Sequence, residues 1–274
     1  MQDSGPLPDG TATFRSAIPY RRSQERSACW EGLGQHDGVD IRPAVAARNN
    51  AEWCDLVARS HRARTSWASD AWTSEDRTPA YYPDVVTLRR NCDPESLLSR
   101  IAVSAGCSVK DSFADLDLKP FGFRVLFEAN WIFRLAMPPD SSHVGRQWKR
   151  VVDAGNLARW EDAWRGPDGP RGLFRADLLA HENVMVMAAE RAGQIVAGAI
   201  LNHSAAAVGI SNFFALPDEE PESWTGCLAA VGSRCPHVPL VGYESADALQ
   251  VAHRHGFQSV GPLRVWITDG QARG

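Results

Sequence analysis

Three side chains in the second half of the chain have the chemistry and the position for proton transfer. Glu244 ends the apolar segment VGYE, and Glu190 ends the segment VMVMAAE. A carboxylate at a strand end that faces a cleft loses hydration, which suits it to act as a general base. His253, near the end of a predicted helix, is a candidate proton donor. The alternatives stay open: ordinary exposed carboxylates for both glutamates, and an exposed helix-end histidine whose charge suits the helix dipole.

A second group of side chains, in the first half, is predicted to contact a substrate. Tyr81, Tyr82 and Asp84 lie at the start of the β-branched segment DVVTL and are candidates to line a pocket. Lys110 and Asp111 stand out because only three of the 29 basic residues are lysines. Lys110 is a candidate to bind an anionic group. The alternatives are a core or interface role for the tyrosines and a surface ion pair for Lys110 and Asp111.

The composition narrows the class of protein. With 44% hydrophobic and 23% charged residues among 274, the chain is not disordered throughout. Its net charge of -4 argues against a general nucleic-acid surface. No segment approaches the ~18 apolar residues of a membrane span, and the start lacks a secretory pattern. The six cysteines lack zinc-ligand spacing, so we expect buried thiols, no metal and a cytoplasmic location.

Turn-forming composition divides the chain into four parts. Residues 1–37 lack periodicity and predict a flexible tail. The segment MPPDSSHVG, residues 137–145, predicts a linker near the middle of the chain. We therefore expect one domain at 38–136 and a second at 146–270.

Hydrophobic spacing and turn residues predict the elements of each domain. In the first, they predict a short strand at 40–43, a helix at 51–67, a strand ending at Leu88, a helix capped by Asp93 and a strand from Phe123. In the second, a strand at 148–152 and a helix from Asn156 precede a three-stranded meander at 184–190, 195–201 and 207–216. The remaining elements are a helix at 223–235, a strand at 238–243, a helix at 246–255 capped by Gly256, and two strands at 257–260 and 263–267.

The order of these elements from 148 to 268 resembles the GCN5-related N-acetyltransferase (GNAT) superfamily. Two segments carry the resemblance: ERAGQIVAGAI, similar to the family's hairpin, and GYESADALQVAHRHGFQSVGPLRVW, similar to its closing strand, helix, Gly-Phe and strands. The segments DVVTL, SLLSRI and GFRVLFEANWI repeat that plan in the first half. The resemblance implies an α/β (α+β) fold with a mixed, largely antiparallel sheet flanked by helices, in two tandem GNAT-like halves. An unrelated α+β cap is the alternative for the first half.

The resemblance also implies an acyl-CoA co-substrate, bound after the third meander strand. The positions it assigns to that co-substrate are Phe214, Ala215, Leu216, Trp224, Thr225 and Gly226. The intervening stretch LPDEEPESWTG departs from the family pattern, because it has no Gln, Arg or glycine pair and carries four acids. Carboxylates at short range repel a diphosphate by about 1 kcal/mol or more each. Ala252 stands where the family often has a tyrosine as general acid.

The sequence therefore predicts an N-acyltransferase that moves an acyl group from acyl-CoA to a small-molecule amine. Glu244 or Glu190 would deprotonate the amine, and His253 would donate a proton. Three alternatives stay open: a binding or regulatory protein that keeps the fold without the chemistry, an acyltransferase with a donor such as aminoacyl-tRNA, and a structural partner in a larger assembly.

Overall fold

The computed structural model describes residues 40–136 and 148–269. The predicted tail at 1–37 and linker at 137–145 lie outside the described residues. The described chain forms one mixed, largely antiparallel sheet of eleven strands flanked by helices. The predicted fold class is therefore confirmed.

Within residues 40–136 and 148–269, the structure has five α-helices and eleven strands. The helices are α1 Arg42–Ser60, α2 Pro94–Leu98, α3 Ala154–Arg165, α4 Glu220–Arg234 and α5 Ala246–Arg254. The strands of the first half are β1 Thr65–Trp67, β2 Ala71–Ser74, β3 Val85–Thr87, β4 Ser108–Asp111 and β5 Phe123–Arg134. Those of the second half are β6 Trp148–Arg150, β7 Val184–Arg191, β8 Gln194–His203, β9 Val208–Ala215, β10 Leu240–Glu244 and β11 Gln258–Thr268.

The two halves of the sequence share one sheet, whose strand order is β1-β2-β3-β4-β11-β5-β10-β9-β8-β7-β6. The last strand of each half lies beside strands of the other half: β5 pairs with β10, and β11 pairs with β4. At the centre, β5 and β11 pair antiparallel along almost their whole length. Only two neighbouring pairs are parallel, β3 with β4 and β9 with β10.

Helix α1 crosses the centre of this sheet and contacts β2, β5, β9 and β10. The strand predicted at 40–43 is wrong, because Pro43 lies in the first turn of the helix. Backbone N–H groups in that turn have no partner within the helix, so a proline there costs no hydrogen bond. The helix predicted at 51–67 begins nine residues earlier and ends at Ser60. Residues 65–67 are the edge strand β1.

Most elements with strong local signals are confirmed. Asp93 caps α2 by accepting a hydrogen bond from Ser96 N at 2.9 Å. The meander is β7, β8 and β9, and Gly256 follows α5 with the left-handed φ of 83° that a glycine cap allows. The two closing strands predicted at 257–260 and 263–267 form a single strand, β11, with a bulge between Ser259 and Gly261.

Helices cover both faces of the second half of the sheet. Alternate residues of β7 point to opposite faces. Val186 and Ala188 join a core with Trp160 of α3. Met187 and Ala189 join a core with Trp224 of α4. The meander strand β7 therefore lies between two packed layers.

Candidate functional site

A cavity of about 300 Å³ opens where the parallel strands β9 and β10 separate. The two strands pair only at Leu240 with Val208 and at Val241 with Gly209. Beyond these pairs β9 continues to Ala215 and β10 to Glu244 without ladder pairing between them. The edge of β9 that faces β10 therefore offers backbone N–H and C=O groups to a ligand.

A bulge in β9 adds to this opening. The register with β8 shifts between Gly198 and Ile200, and Asn212 has a left-handed φ of 52°. A bulge leaves one residue without a ladder partner and redirects its side chain. Here the bulged residues Asn212 and Phe213 both line the cavity.

Helix α1 forms the roof of the cavity through one stripe of residues. Ala46, Asn49, Asn50, Trp53 and Cys54 follow the three- and four-residue spacing of a helix face. Sequence reasoning missed the stripe because it began the helix at residue 51, although the spacing was present in the sequence.

A buried polar cluster joins this stripe of α1 to β8 and to the turn before β9. Asn49 Nδ2 lies 3.1–3.2 Å from three acceptors that share its two N–H groups, Asn202 O, Ser204 Oγ and Ala207 O, and Asn202 Nδ2 donates back to Asn49 O and Oδ1 at 3.0 Å. Gly209 makes room for this cluster, because a Cβ there would lie 2.0 Å from Asn49 Oδ1. The roof is therefore fixed to the hairpin of β8 and β9.

Glu244 is the last residue of β10 and lines the cavity. Burial raises the pKa of its carboxyl group from 4.5 to about 7. Within the described residues, no Arg, Lys or His nitrogen lies within ion-pair distance of this carboxylate. A partly buried carboxylate that exchanges its proton near neutral pH meets the first requirement for a general base.

Lys110 reaches the same cavity from β4. Its side chain is only 4% exposed. The ammonium donates to Asn50 Oδ1 at 2.8 Å and lies 4.2 Å from the ring centroid of Tyr243. An ammonium over an aromatic face gains cation–π attraction, which partly offsets its lost hydration.

Aromatic rings make up much of the wall. Tyr82 is buried against Trp53, with ring centroids 6.2 Å apart, and burial raises the pKa of its phenol well above 10. Its hydroxyl lies 3.5 Å from Asn212 Oδ1, at the bulge. Tyr81 is 72% exposed at the cavity edge, where its ring contacts Trp164 edge-on. The structure thus brings together four of the predicted side chains: Glu244, Lys110, Tyr81 and Tyr82.

Asp84 and Asp111 lie outside the cavity lining and hold loops instead. Asp84 pairs with Arg77 and accepts hydrogen bonds from Thr78 N and Ser108 N at 3.0 and 2.9 Å. Asp111 accepts from Leu116 N at 2.9 Å, and burial raises the pKa of its carboxyl group. Both carboxylates therefore stabilise loops through hydrogen bonds to backbone N–H groups.

Glu190 and His253 are also remote from the cavity lining. Glu190 is exposed on the hairpin of β7 and β8, where it pairs with Arg159 at 3.4 Å. His253 is exposed at the end of α5, with Nε2 2.9 Å from Ser259 Oγ. The structure therefore leaves Glu244 as the carboxylate positioned in the opening between β9 and β10.

None of the six residues predicted to hold the co-substrate lines the cavity. Phe214 packs on Trp160, Ala215 ends β9, and Leu216 follows the strand. Trp224 is buried in α4 and stacks on Phe213, with ring centroids 4.1 Å apart, so it supports the cavity wall from behind. Thr225 and Gly226 follow it in α4.

The start of α4 does not suit a diphosphate. Its first turn carries Glu220 and Glu222, and Pro221 has no N–H to donate. The preceding Glu219 is buried and pairs with Arg191. Negative charge at this helix start complements the helix dipole by itself. A nucleotide diphosphate at the same place would add repulsion without gaining donors.

The described residues provide neither a metal site nor a membrane-spanning helix. In residues 40–136 and 148–269, no three His, Cys, Asp or Glu side chains converge as a metal ion would require. No helix in those two ranges is both long and apolar enough to cross a membrane. Cys54, Cys92, Cys107 and Cys227 are buried as free thiols, and Cys29 lies outside the described residues.

Sequence comparison identifies no relative: no protein-family model matches the chain, and no curated protein does. Solved structures do match. A GCN5-related N-acetyltransferase from Kribbella flavida aligns with a TM-score of 0.57 at 14% identity, over 83% of this chain and 96% of that one. A functionally unknown conserved protein from Staphylococcus epidermidis gives 0.56 at 10%, over 76% and 95%.

A third solved structure, a putative acetyltransferase of the GNAT family from Novosphingobium aromaticivorans, gives a TM-score of 0.52 at 14% identity, over 81% and 96% of the two chains. At such low identity these alignments establish the fold and nothing finer. The chain has the fold of the GCN5-related N-acetyltransferases, as the resemblance in its sequence predicts. Its tandem halves stay a prediction.

Proposed function

We propose that this protein, which has the GCN5-related N-acetyltransferase fold, transfers an acyl group from a thioester to the nitrogen of a small-molecule amine. One observation carries the proposal. Glu244 places a carboxylate with a pKa of about 7 at the point where β9 and β10 separate. A base with this pKa is half ionised at neutral pH, where it can accept a proton from an ammonium group.

The reaction needs three proton transfers, because two protons leave the nitrogen and one reaches the sulfur. Glu244 takes one proton from the ammonium, and the neutral nitrogen attacks the thioester carbonyl. The carbon–sulfur bond then breaks, the nitrogen loses its second proton, and the thiolate gains one. Overall, a thioester and an ammonium give an amide, a thiol and one proton released to solvent. We assign the proton donated to sulfur to Tyr82, whose hydroxyl lies at the bulge, 3.5 Å from Asn212 Oδ1, and which regains a proton from the nitrogen.

The opening suits the arm of a thioester better than its nucleotide. The unpaired edge of β9 can accept an extended amide-containing arm as an added strand. The acidic start of α4 gives a nucleotide diphosphate no counter-charge. No step of the proposed reaction therefore depends on a diphosphate, and acyl-CoA is one donor to test among thioesters.

The test measures thiol release and amide formation with acetyl-CoA and with S-acetyl-N-acetylcysteamine. The amines are putrescine, 2-phenylethylamine, L-leucine and L-phenylalanine. In the wild type, kcat/KM should rise with pH to a plateau above about pH 7, because Glu244 must be ionised. Glu244→Gln should lower kcat/KM by about 100-fold or more, the usual contribution of a general base.

Glu190→Gln is the matched control, because Glu190 is exposed and paired with Arg159 on the surface. We expect its kcat/KM to stay within about twofold of wild type. Equal activity of Glu244→Gln and wild type would overturn the proposal. So would the absence of transfer with every donor and amine of the panel.

Two observations favour a second candidate, a binding protein that keeps this fold without the reaction. The start of α4 is acidic, and Ala252, fully buried in α5, has no proton to donate. This candidate predicts that an amine of the panel raises the melting temperature while no donor is consumed. A ligand at 100 times its Kd adds about 2.7 kcal/mol to stability, which a melting experiment resolves.

A further inference from the structure

The cavity contains two charged side chains that do not neutralise each other. Among the described residues that line it, Lys110 and Glu244 are the only charged ones, and no ion pair joins them. Each is at least partly withdrawn from water, where an uncompensated charge is unfavourable. A ligand with one charge of each sign would compensate both at once.

Lys110 retains capacity for such a ligand. An ammonium has three N–H donors, and the described contacts of Lys110 use one of them, to Asn50 Oδ1. The remaining donors lie beside the cavity, because the ammonium sits over the ring of Tyr243, which also lines it.

The choice of lysine at this position is unusual for the chain. Arginine accounts for all but three of its 29 basic residues, and the other two lysines, Lys119 and Lys149, are exposed. A compact ammonium fits a small cavity as a point charge, whereas a guanidinium is a planar fork that demands more space. The general preference for arginine therefore does not account for Lys110.

We infer that the acceptor of this site is a free α-amino acid, whose carboxylate binds Lys110 and whose ammonium faces Glu244. This inference rests on the proposed function, because it takes the amine to occupy the same cavity. Lys110 is a specificity-determining residue in this arrangement: it selects amines that carry a neighbouring carboxylate.

The walls of the cavity select the side chain of that amino acid. Seven aromatic residues line it: Trp53, Tyr81, Tyr82, Trp131, Trp164, Phe213 and Tyr243. The volume of about 300 Å³ lies at the lower limit of small-molecule sites, which suits a ligand of single amino-acid size. We therefore expect a large apolar or aromatic side chain.

The test measures binding without any donor, so that it does not depend on turnover. Calorimetry compares L-phenylalanine, L-tryptophan and L-leucine with 2-phenylethylamine, tryptamine and isopentylamine, which lack only the carboxylate. In the wild type, at least one amino acid should bind about 10-fold or more tightly than its amine, since a hydrogen bond between charged groups is lost. Removing the carboxylate from the ligand tests Lys110 without altering the protein.

The variant Lys110→Met makes the same comparison from the side of the protein. It should weaken amino-acid binding by about 10- to 100-fold and thereby abolish the preference for each amino acid over its amine. Lys149→Met, which alters an exposed lysine on β6, is the matched control and should bind as wild type does. A melting temperature measured for each variant shows whether it is folded.

Two results would overturn the inference. One is that the amines bind as tightly as the amino acids, and the other is that none of the three amino acids binds the wild type. If amines without a carboxylate are acylated equally well, the inference fails while the proposed function stands. If amino acids bind with the expected dependence on Lys110 but no donor is consumed, the proposed function fails while the recognition of the amino acid stands.

Discussion

The sheet contains two parallel strand pairs, β3 with β4 and β9 with β10, which begin alike and end differently. Each pair is joined by only two register positions. In the first pair the strands stay together, because Thr87 Oγ1, at the end of β3, accepts a hydrogen bond from Ser112 N at 2.8 Å. In the second pair no such bond follows Val241, and the cavity lies between the strands.

The segments that follow β3 and β9 in the chain also differ in charge. After β3 come Arg89 and Arg90, which Asp93 and Glu95 at the start of α2 balance, and after β9 comes the acidic start of α4. The strand pair that opens is therefore followed by negative charge, and the closed pair is followed by a segment without net charge. Strand separation makes the cavity of this protein, and the charge of the segment after β9 bears on the donor we propose.

The open pair depends on a close contact that only glycine permits, and breaking it should have the largest effect on stability. In Gly209→Ala the new Cβ would lie 2.0 Å from Asn49 Oδ1 and 2.3 Å from Asn202 Oδ1. Overpacking and the broken buried hydrogen bonds together should lower the free energy of unfolding by about 3–4 kcal/mol. Urea unfolding measures this, and any ligand of the cavity should bind more weakly because α1 is displaced.

Gly155→Ala is the control, since a Cβ there meets its nearest neighbour at an ordinary 3.4 Å. This change in the first turn of α3 should leave stability unchanged or raise it slightly. A Gly209→Ala protein as stable as Gly155→Ala would show that the polar cluster does not fix the roof of the cavity.

The uncompensated carboxylate of the open pair should make stability depend on pH. The folded-state pKa of Glu244 is about 7, above its unfolded value of 4.5. Between these values the folded state holds a proton that the unfolded state has lost, so this residue lowers stability as pH rises from about 4.5 to about 7. Glu244→Gln should remove this contribution and gain about 2–3 kcal/mol relative to wild type across that range.

The measurement is urea unfolding of both proteins at pH 4.5, 6 and 8. Glu190→Gln, whose carboxylate is exposed, should follow the wild-type pH dependence. If the difference between wild type and Glu244→Gln is the same at all three pH values, burial does not shift this carboxyl group and the case for a base weakens.

The sequence predicts the helix starts and ends that are determined by interactions between neighbouring residues. Asp93 followed by proline marked a helix start, and Gly256 marked a helix end, because caps act over a few residues. The strand predicted to end at Pro43 is wrong, since proline suits both a strand end and the first turn of a helix. The sequence predicts Lys110 and Glu244 as separate site residues, but it does not predict that they line the same cavity.

The exchange of β5 and β11 between the halves explains that limit. Lys110 lies on β4 and Glu244 on β10, and the two strands are separated in the sheet by β11 and β5. Contacts of this kind depend on pairing between distant segments, which no periodicity within a segment encodes. The duplication of the two halves, suggested by their similar strand patterns, stays a prediction for the same reason.

Removing the hydrogen bond that joins the closed pair, β3 and β4, should alter stability by less than the changes to the open pair do. Thr87→Val keeps the shape of the side chain and removes the acceptor for the buried Ser112 N–H. A buried donor without a partner lowers the free energy of unfolding by about 1–3 kcal/mol. Thr225→Val, on the exposed side of α4, is the control and should change stability by less than about 0.5 kcal/mol. An unchanged stability in Thr87→Val would mean that the bond does not hold β3 and β4 together.

The smallest expected effect concerns the donor. Because the acids at the start of α4 oppose a diphosphate, acetyl-CoA should have a kcat/KM no higher than that of S-acetyl-N-acetylcysteamine, which has no diphosphate. The double variant E220Q/E222Q should raise kcat/KM for acetyl-CoA by about 2- to 5-fold, the effect of two exposed charges, and leave the short donor unchanged. The gain should fade at high salt, which screens exposed charges. A wild type that strongly prefers acetyl-CoA would mean that another surface binds the diphosphate, and the charge of the loop after β9 would then say nothing about the donor.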